Sequence, residues 1–167
     1  GWLFTESIGR EEVQQGRDEL VYFTHIVAAA VDPAQLTTLR LSPEDAARPE
    51  YVRLQQQLTD IQQTNPDFRR VYLLVNQQGA VRYAVDSTRH LPPGTVLEAP
   101  PLVVWQVLSS GQAGMIGPYI SDVGTRLSAF AAVHDRAGVI VAVLGIDRTA
   151  ADWLPHVAAH RLLPIGL

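Results

Sequence analysis

Apolar residues recur at two different periods along this chain, and the change of period divides it into a helical first part and a strand-rich second part. From about Glu6 to Val31 the period is helical. Val13, Leu20 and Val27 return every seven residues, Phe23 and Ala30 fill the stripe, and Arg10, Glu11, Glu12, Arg17, Asp18 and Glu19 cover the remaining surface. The spacing predicts one long helix over 6–31, halted by Asp32-Pro33. A seven-residue repeat serves both for pairing with the same helix of a second copy and for burial against a sheet, and both roles are expected, one at each half.

Ser42-Pro43-Glu44-Asp45 reads as the start of a short helix, with the Ser42 hydroxyl capping free amides. A better helix is expected from Glu50 to about Thr64, where Tyr51, Leu54, Leu58 and Ile61 share a face and Asn65-Pro66 stops the chain. Beyond it the period becomes two. Val71–Val75 and Ala80–Val85 form strands joined by a hairpin over Asn76-Gln77-Gln78-Gly79. The loop from Asp86 to Pro101 is stiffened by Pro92-Pro93-Gly94 and Pro100-Pro101, and loops of this length in compact domains commonly serve binding. A short helix over Leu102–Leu108 follows, then strands near Ala113–Ile120, over Thr125–Val133 and over Val139–Ile146, then a final helix over 149–163. The fold class is therefore α+β, in a single domain over 1–167 with its core at 32–153.

Composition narrows the function. The chain has 167 residues, 47% of them apolar and 18% charged, enough to build one hydrophobic core. It has no cysteine, which excludes thiolate nucleophiles, zinc ribbons, iron–sulfur clusters and disulfides. A net charge of −4 without a basic run gives no footprint for nucleic acid. There is no nucleophile elbow, phosphate-binding glycine loop or dinucleotide fingerprint, so no catalytic residue is expected. No cofactor or metal is expected either. His156 and His160 stand four apart on the final helix, but Val157 occupies the place where a zinc protease needs its glutamate, so they read as surface histidines.

Once these elements are placed, the chain resembles, over roughly Val13 to Trp153, the extracellular Cache (PDC) domains of bacterial and archaeal membrane receptors. The likeness is carried by Val71-Tyr72-Leu73-Leu74-Val75 with Gly79 and Tyr83 to Asp86, by Gly117-Pro118-Tyr119 with Asp122 and Gly124, and by Ser128, Val133, Asp135 and Gly138. Ala142-Val143-Leu144-Gly145-Ile146-Asp147 completes it. Val123 stands where the family often has tryptophan, and Ala132 where it often has proline. The resemblance implies a PAS-like, five-stranded antiparallel sheet with the long helix on one face and a pocket on the other, roofed by the loop and short helix. It also implies a periplasmic or extracellular sensor of a small molecule, set between two membrane helices, dimeric through its N-terminal helix, and coupled to a kinase, cyclase or chemotaxis output. Trp2-Leu3-Phe4 and the apolar C-terminus fit such flanking segments, or simply ordinary termini.

Alternation along 125–133 puts Arg126, Ser128 and Phe130 on one strand face and Leu127, Ala129, Ala131 and Val133 on the other. If Val133 pairs with Val139, Thr125 falls opposite Asp147, which brings Arg126 and Asp147 to one end of the sheet. These two either form a strand-end ion pair or hold the carboxylate and ammonium of an amino-acid-like ligand. Tyr119, Tyr83 and Trp105 are further ligand candidates, each with a core-packing alternative. Asp86 is read as contacting ligand or closing a turn on its own backbone, and the turn is the preferred reading. A dimerisation module with a vestigial pocket, filled by Phe130, Leu102 and Trp105, is the alternative to the sensor, as is sensing through a partner protein.

Overall fold

A computed structural model describes residues 2–150, with side chains from residue 14 onward. Helix α1 runs over Trp2–Ala30, α2 over Pro33–Leu36, a 3-10 turn over Pro43–Ala47 and α3 over Pro49–Gln63. Strands β1 (Phe68–Gln77) and β2 (Ala80–Asp86) come next, then α4 (Leu102–Ser110), and then β3 (Gly114–Ser121), β4 (Gly124–His134) and β5 (Ile140–Thr149). The five strands form one antiparallel sheet in the order β2-β1-β5-β4-β3. The final helix expected at 149–163, with its two histidines, lies beyond the described residues apart from its first positions.

Alternation sorts the strand residues onto two faces. Val71, Leu73, Leu127, Ala129, Ala131, Val133, Leu144 and Ile146 point to the face covered by α1 and α3, where they meet Leu20, Val27, Val31, Leu54 and Leu58 in the main core. The other face carries a second, smaller core in which Tyr72, Leu74, Phe130, Ala132 and Val143 pack against Val104 and Val107 of α4. Each face hides one apolar set, so the register cannot slip by one residue without exposing both cores.

Three local expectations change. Ser42 makes no side-chain cap. The buried Asp45 carboxylate instead ties the turn to the loop before it, accepting the Arg40 and Leu41 amides and the Arg48 guanidinium. Val133 pairs with Ala142, not Val139, because the five-residue turn falls one residue later, inside the His134–Ile140 pair where the Asp135 carboxylate gathers the Ala137 and Val139 amides, and a bulge between Val133 and His134 adds a further residue on β5. The loop after β2 is only partly irregular. Its middle runs back along β2, with Tyr83 N–H donating to Thr95 and Leu97 N–H to Val81, so it covers that edge of the sheet.

Candidate functional site

The corrected β4–β5 register sets Ser128 opposite Asp147 and Arg126 opposite Thr149, while β1 on the other side of β5 sets Arg70 opposite Asp147 and Tyr72 opposite Gly145. Asp147 therefore sits on a central strand with polar partners from both neighbours. Its Oδ1 accepts the Tyr72 hydroxyl at 2.8 Å and the Ser128 hydroxyl at 2.7 Å. Since Ser128 spends its proton there, the 2.7 Å contact between Tyr119 and Ser128 must have Tyr119 as donor. Tyr72 reaches Asp147 by lying flat over β5, and it can do so only because residue 145 has no side chain: a Cβ there would meet the ring at 2.4 Å.

Asp147 Oδ2 accepts no hydrogen bond from the described residues. It faces Arg70 Nε at 3.9 Å, and the same Nε lies 3.7 Å from Oδ1 of the buried Asp86. Both distances exceed hydrogen-bond range, and Arg70 Nε is buried without a partner among the described residues. The guanidinium is held instead against two aromatic rings, 4.7 Å from the Tyr72 centroid and 5.0 Å from that of Tyr83. Burial pushes the Asp147 carboxyl above its ordinary range, although the two hydroxyls, Arg70 and Arg126 pull it partly back. Burial favours the neutral form of Arg70 as well, yet Tyr83, Asp86 and Asp147 outweigh it and hold the group more firmly charged than usual. Burial and Asp147 likewise raise the Tyr72 and Tyr119 phenols, which stay protonated as donors.

Around Asp147 opens a cleft of about 410 Å³, lined by Arg69, Arg70, Thr88, His90, Leu91, Tyr119, Ser121, Asp122, Val123 and Arg126. Its walls are the start of the loop after β2 and the turn between β3 and β4, at one end of the sheet. The side chains of Arg69 and Arg126 make no hydrogen bond or ion pair within the described residues, so an anionic group entering the cleft would find two available cations. The volume lies in the range of small-molecule sites.

Of the residues singled out from sequence, Arg126, Tyr119 and Asp147 line this cleft, and Ser128 lies buried beneath it. Tyr83 braces Arg70 from β2. Asp86 closes the turn into the loop by accepting the Thr88 amide and hydroxyl, in addition to facing Arg70. Phe130 and Trp105 are placed elsewhere, in the second core under α4, and Leu102 is 71% exposed, so it fills nothing. The short helix thus plugs the middle of the face rather than roofing the cleft. Arg70 escaped the sequence reading, which began β1 one residue later. The available signal was its position two residues before Tyr72, on the same strand face.

Among the described residues no helix is long and apolar enough to cross a membrane, and no three acidic, histidine or cysteine side chains are grouped to hold a metal. No protein-family model matches the sequence, and no curated protein does. Solved structures do. The ligand-binding domain of the Campylobacter jejuni chemoreceptor Tlp3, in complex with L-norvaline, superposes with a TM-score of 0.62 at 17% identity, over 94% of this chain and 60% of that one. The ligand-binding domain of the Pseudomonas aeruginosa amino acid chemoreceptor PctC, in complex with GABA, gives 0.60 at 16% identity, over 90% and 60%. An extracellular ligand binding receptor from Desulfohalobium retbaense gives 0.59 at 9% identity, over 97% of this chain and 27% of that one. The chain therefore has the α+β fold of receptor sensory domains, and it spans about three fifths of the length of the first two neighbours.

Proposed function

We propose that this chain is a non-catalytic sensory domain, on the outer side of a cell membrane, that binds a small amine-bearing molecule, of which an amino acid is the leading class. The observation that carries the reading is Asp147. It is a carboxylate on a central strand with one oxygen saturated by two hydroxyls and the other left open, at the floor of a cleft with two uncommitted arginines. An ammonium fits the open oxygen, and a carboxylate fits the forked donors of Arg126 or Arg69. Neighbouring folds carry L-norvaline and GABA, which share that pair of groups.

Binding would act on the loop that forms one wall. That loop is tied to α3 at Ser87, whose carbonyl accepts Gln55 and Thr59 and whose hydroxyl donates to Gln62. Helix α3 in turn meets α1, where Gln57 donates to the Ala30 carbonyl. A shift of the wall is thus passed to the leading helix, which would run toward a membrane segment and a cytoplasmic output. Tyr22 and Ile26 are exposed along α1, which suits pairing with a second copy.

Isothermal titration against α- and ω-amino acids, simple amines and simple carboxylates tests the reading. Asp147→Asn should weaken every amine-bearing ligand by at least about 100-fold, while Arg126→Ala should weaken only those that also bear a carboxylate. A ligand whose affinity survives both substitutions sinks the assignment. The packed core under α4 favours a second reading, a structural module with no small-molecule ligand, and silence across the whole panel would select it.

A further inference from the structure

Arg70 is a half-buried cation, its Nε buried, whose arrangement is unusual for an ion pair. It stands between two carboxylates, Asp86 and Asp147, yet hydrogen-bonds to neither through Nε, because the Tyr72 and Tyr83 rings hold its plane. A guanidinium free to turn would close a bidentate bond on Asp147 and consume both oxygens. Held as it is, it supplies charge without occupying the acceptor.

We propose that Arg70 is a positioning residue that keeps Asp147 ionised while denying it a hydrogen bond, and so tunes the cleft to ligands with a single positive group. The proposal rests on Asp147 being the ammonium acceptor. The inner cluster of Asp86, Asp147 and Arg70 carries a net charge of one negative (two acids less one base), which one ammonium neutralises. Without Arg70 two carboxylates would share a buried floor, and like charges so placed cannot both stay ionised easily. Asp147 is the one to take the proton, since burial already favours its neutral form. The groups that face Asp147 are Arg70 and Tyr72 from β1, Tyr83 and Asp86 from β2, Tyr119 from β3, and Arg126 and Ser128 from β4, with Arg69, His90 and Asp122 around the same cleft.

The test is a carbon-13 NMR titration of the Asp147 side-chain carboxyl, identified by its loss in Asp147→Asn, in the wild type, Arg70→Met and Arg70→Lys. The midpoint should move up in Arg70→Met and return toward the wild-type value in Arg70→Lys, which keeps the charge. Titration of butylamine and GABA should then show affinity for Arg70→Met falling about tenfold for each pH unit below the new midpoint, across a window where the wild type stays flat. An unmoved midpoint overturns the proposal even if both ligands bind. So does tighter amine binding by Arg70→Met at every pH, which would make Arg70 a competitor for Asp147. A raised midpoint with no ligand bound by any form would uphold the role of Arg70 and strike the amine-sensor reading alone. Should Arg70→Met fail to fold, Arg70→Gln takes its place, since it removes the charge while keeping a planar polar group, and its midpoint must rise in the same way.

Discussion

Replacing Gly145 by alanine should damage the site from beneath. Gly145 lies in β5 with no positive φ, so its backbone would accept any residue, and alanine there ought to gain about 0.5–1 kcal/mol by restricting the unfolded chain. The space above it reverses the sign. A Cβ would fall 2.4, 2.5 and 2.8 Å from Cε2, Cζ and the hydroxyl oxygen of Tyr72, whereas ordinary contact begins near about 3.5 Å. The ring must lift by about 1 Å, and it has little room, being boxed in by Tyr83 and Phe130 at centroid distances of 5.6 and 6.4 Å. A shift of that size takes the 2.8 Å bond to Asp147 out of range. Overpacking costs about 1–3 kcal/mol and the lost bond to a carboxylate about 1.5–3 kcal/mol, so the net loss is about 2–5 kcal/mol. At this chain length that lowers the melting midpoint by roughly 5–15 °C. Thermal melts of Gly145→Ala, Tyr72→Ala and the double variant measure it. The double variant should lose less than the sum of the singles by at least about 1 kcal/mol, because the clash vanishes with the ring. Additive losses, or a Gly145→Ala midpoint within about 1 °C of the wild type, would refute the reasoning.

Other consequences can be measured on the same material. Because burial raises the folded-state pKa of Asp147, its ionised form opposes folding above that pKa, and the penalty fades as the pH falls toward the unfolded value. Asp147→Asn should therefore melt no lower than the wild type at neutral pH, with any advantage shrinking toward pH 4 in a series of melts, even as ligand binding is lost. Asp45→Ala strands the Arg40 and Leu41 amides and should cost about 2–4 kcal/mol in urea unfolding, while ligand affinity per folded molecule stays unchanged. Gly94→Ala would drive a Cβ to 2.2 Å from the Leu41 carbonyl at a φ of +91°, which should cost about 2–3 kcal/mol and expose the 86–101 loop to limited proteolysis.

The faces of the sheet were legible in the sequence because alternation is a local property: Leu127, Ala129 and Ala131 against Ser128 and Phe130 can be sorted without knowing any partner. Register was not, since it depends on how many residues a turn absorbs. The turn held by the Asp135 carboxylate falls one residue later along the chain, and with the bulge beside it this moved Asp147 from a place opposite Thr125 to one opposite Ser128. That error mattered, for the hydroxyl pairing that leaves one oxygen of Asp147 open follows from the true register. Arg70 was hidden for a different reason. Beside Arg69 it reads as a solvated basic pair, and only the path of β1 reveals that Arg69 is exposed at the side of the cleft while Arg70 lies over the Tyr72 and Tyr83 rings.

The position of the cleft follows from what α4 can cover. Its buried residues, Val104 and Val107, are apolar and match Tyr72, Leu74, Phe130 and Val143 in the middle of the sheet face, so the helix settles there and excludes water. Toward the other end the same face carries Arg70, Ser128, Asp147 and Tyr119, which no apolar helix could bury without a large desolvation cost. That end stays open and is walled by two polar connections, the loop after β2 and the β3–β4 turn. Among the described residues the first is fastened to the helical layer within the wall itself, through Ser87 to Gln55, Thr59 and Gln62, with Arg89 adding a bond to Gln55, whereas the second is tied only further back, where Arg17 of α1 donates to the Gly117 carbonyl on β3. A ligand that draws the two walls together must therefore pull on α3, while the β3–β4 turn, with Ile120 and Val123 exposed, can follow at little cost. The asymmetry couples the cleft, from Asp147 through the loop, to α3 and so to α1 more directly than to the β3–β4 turn.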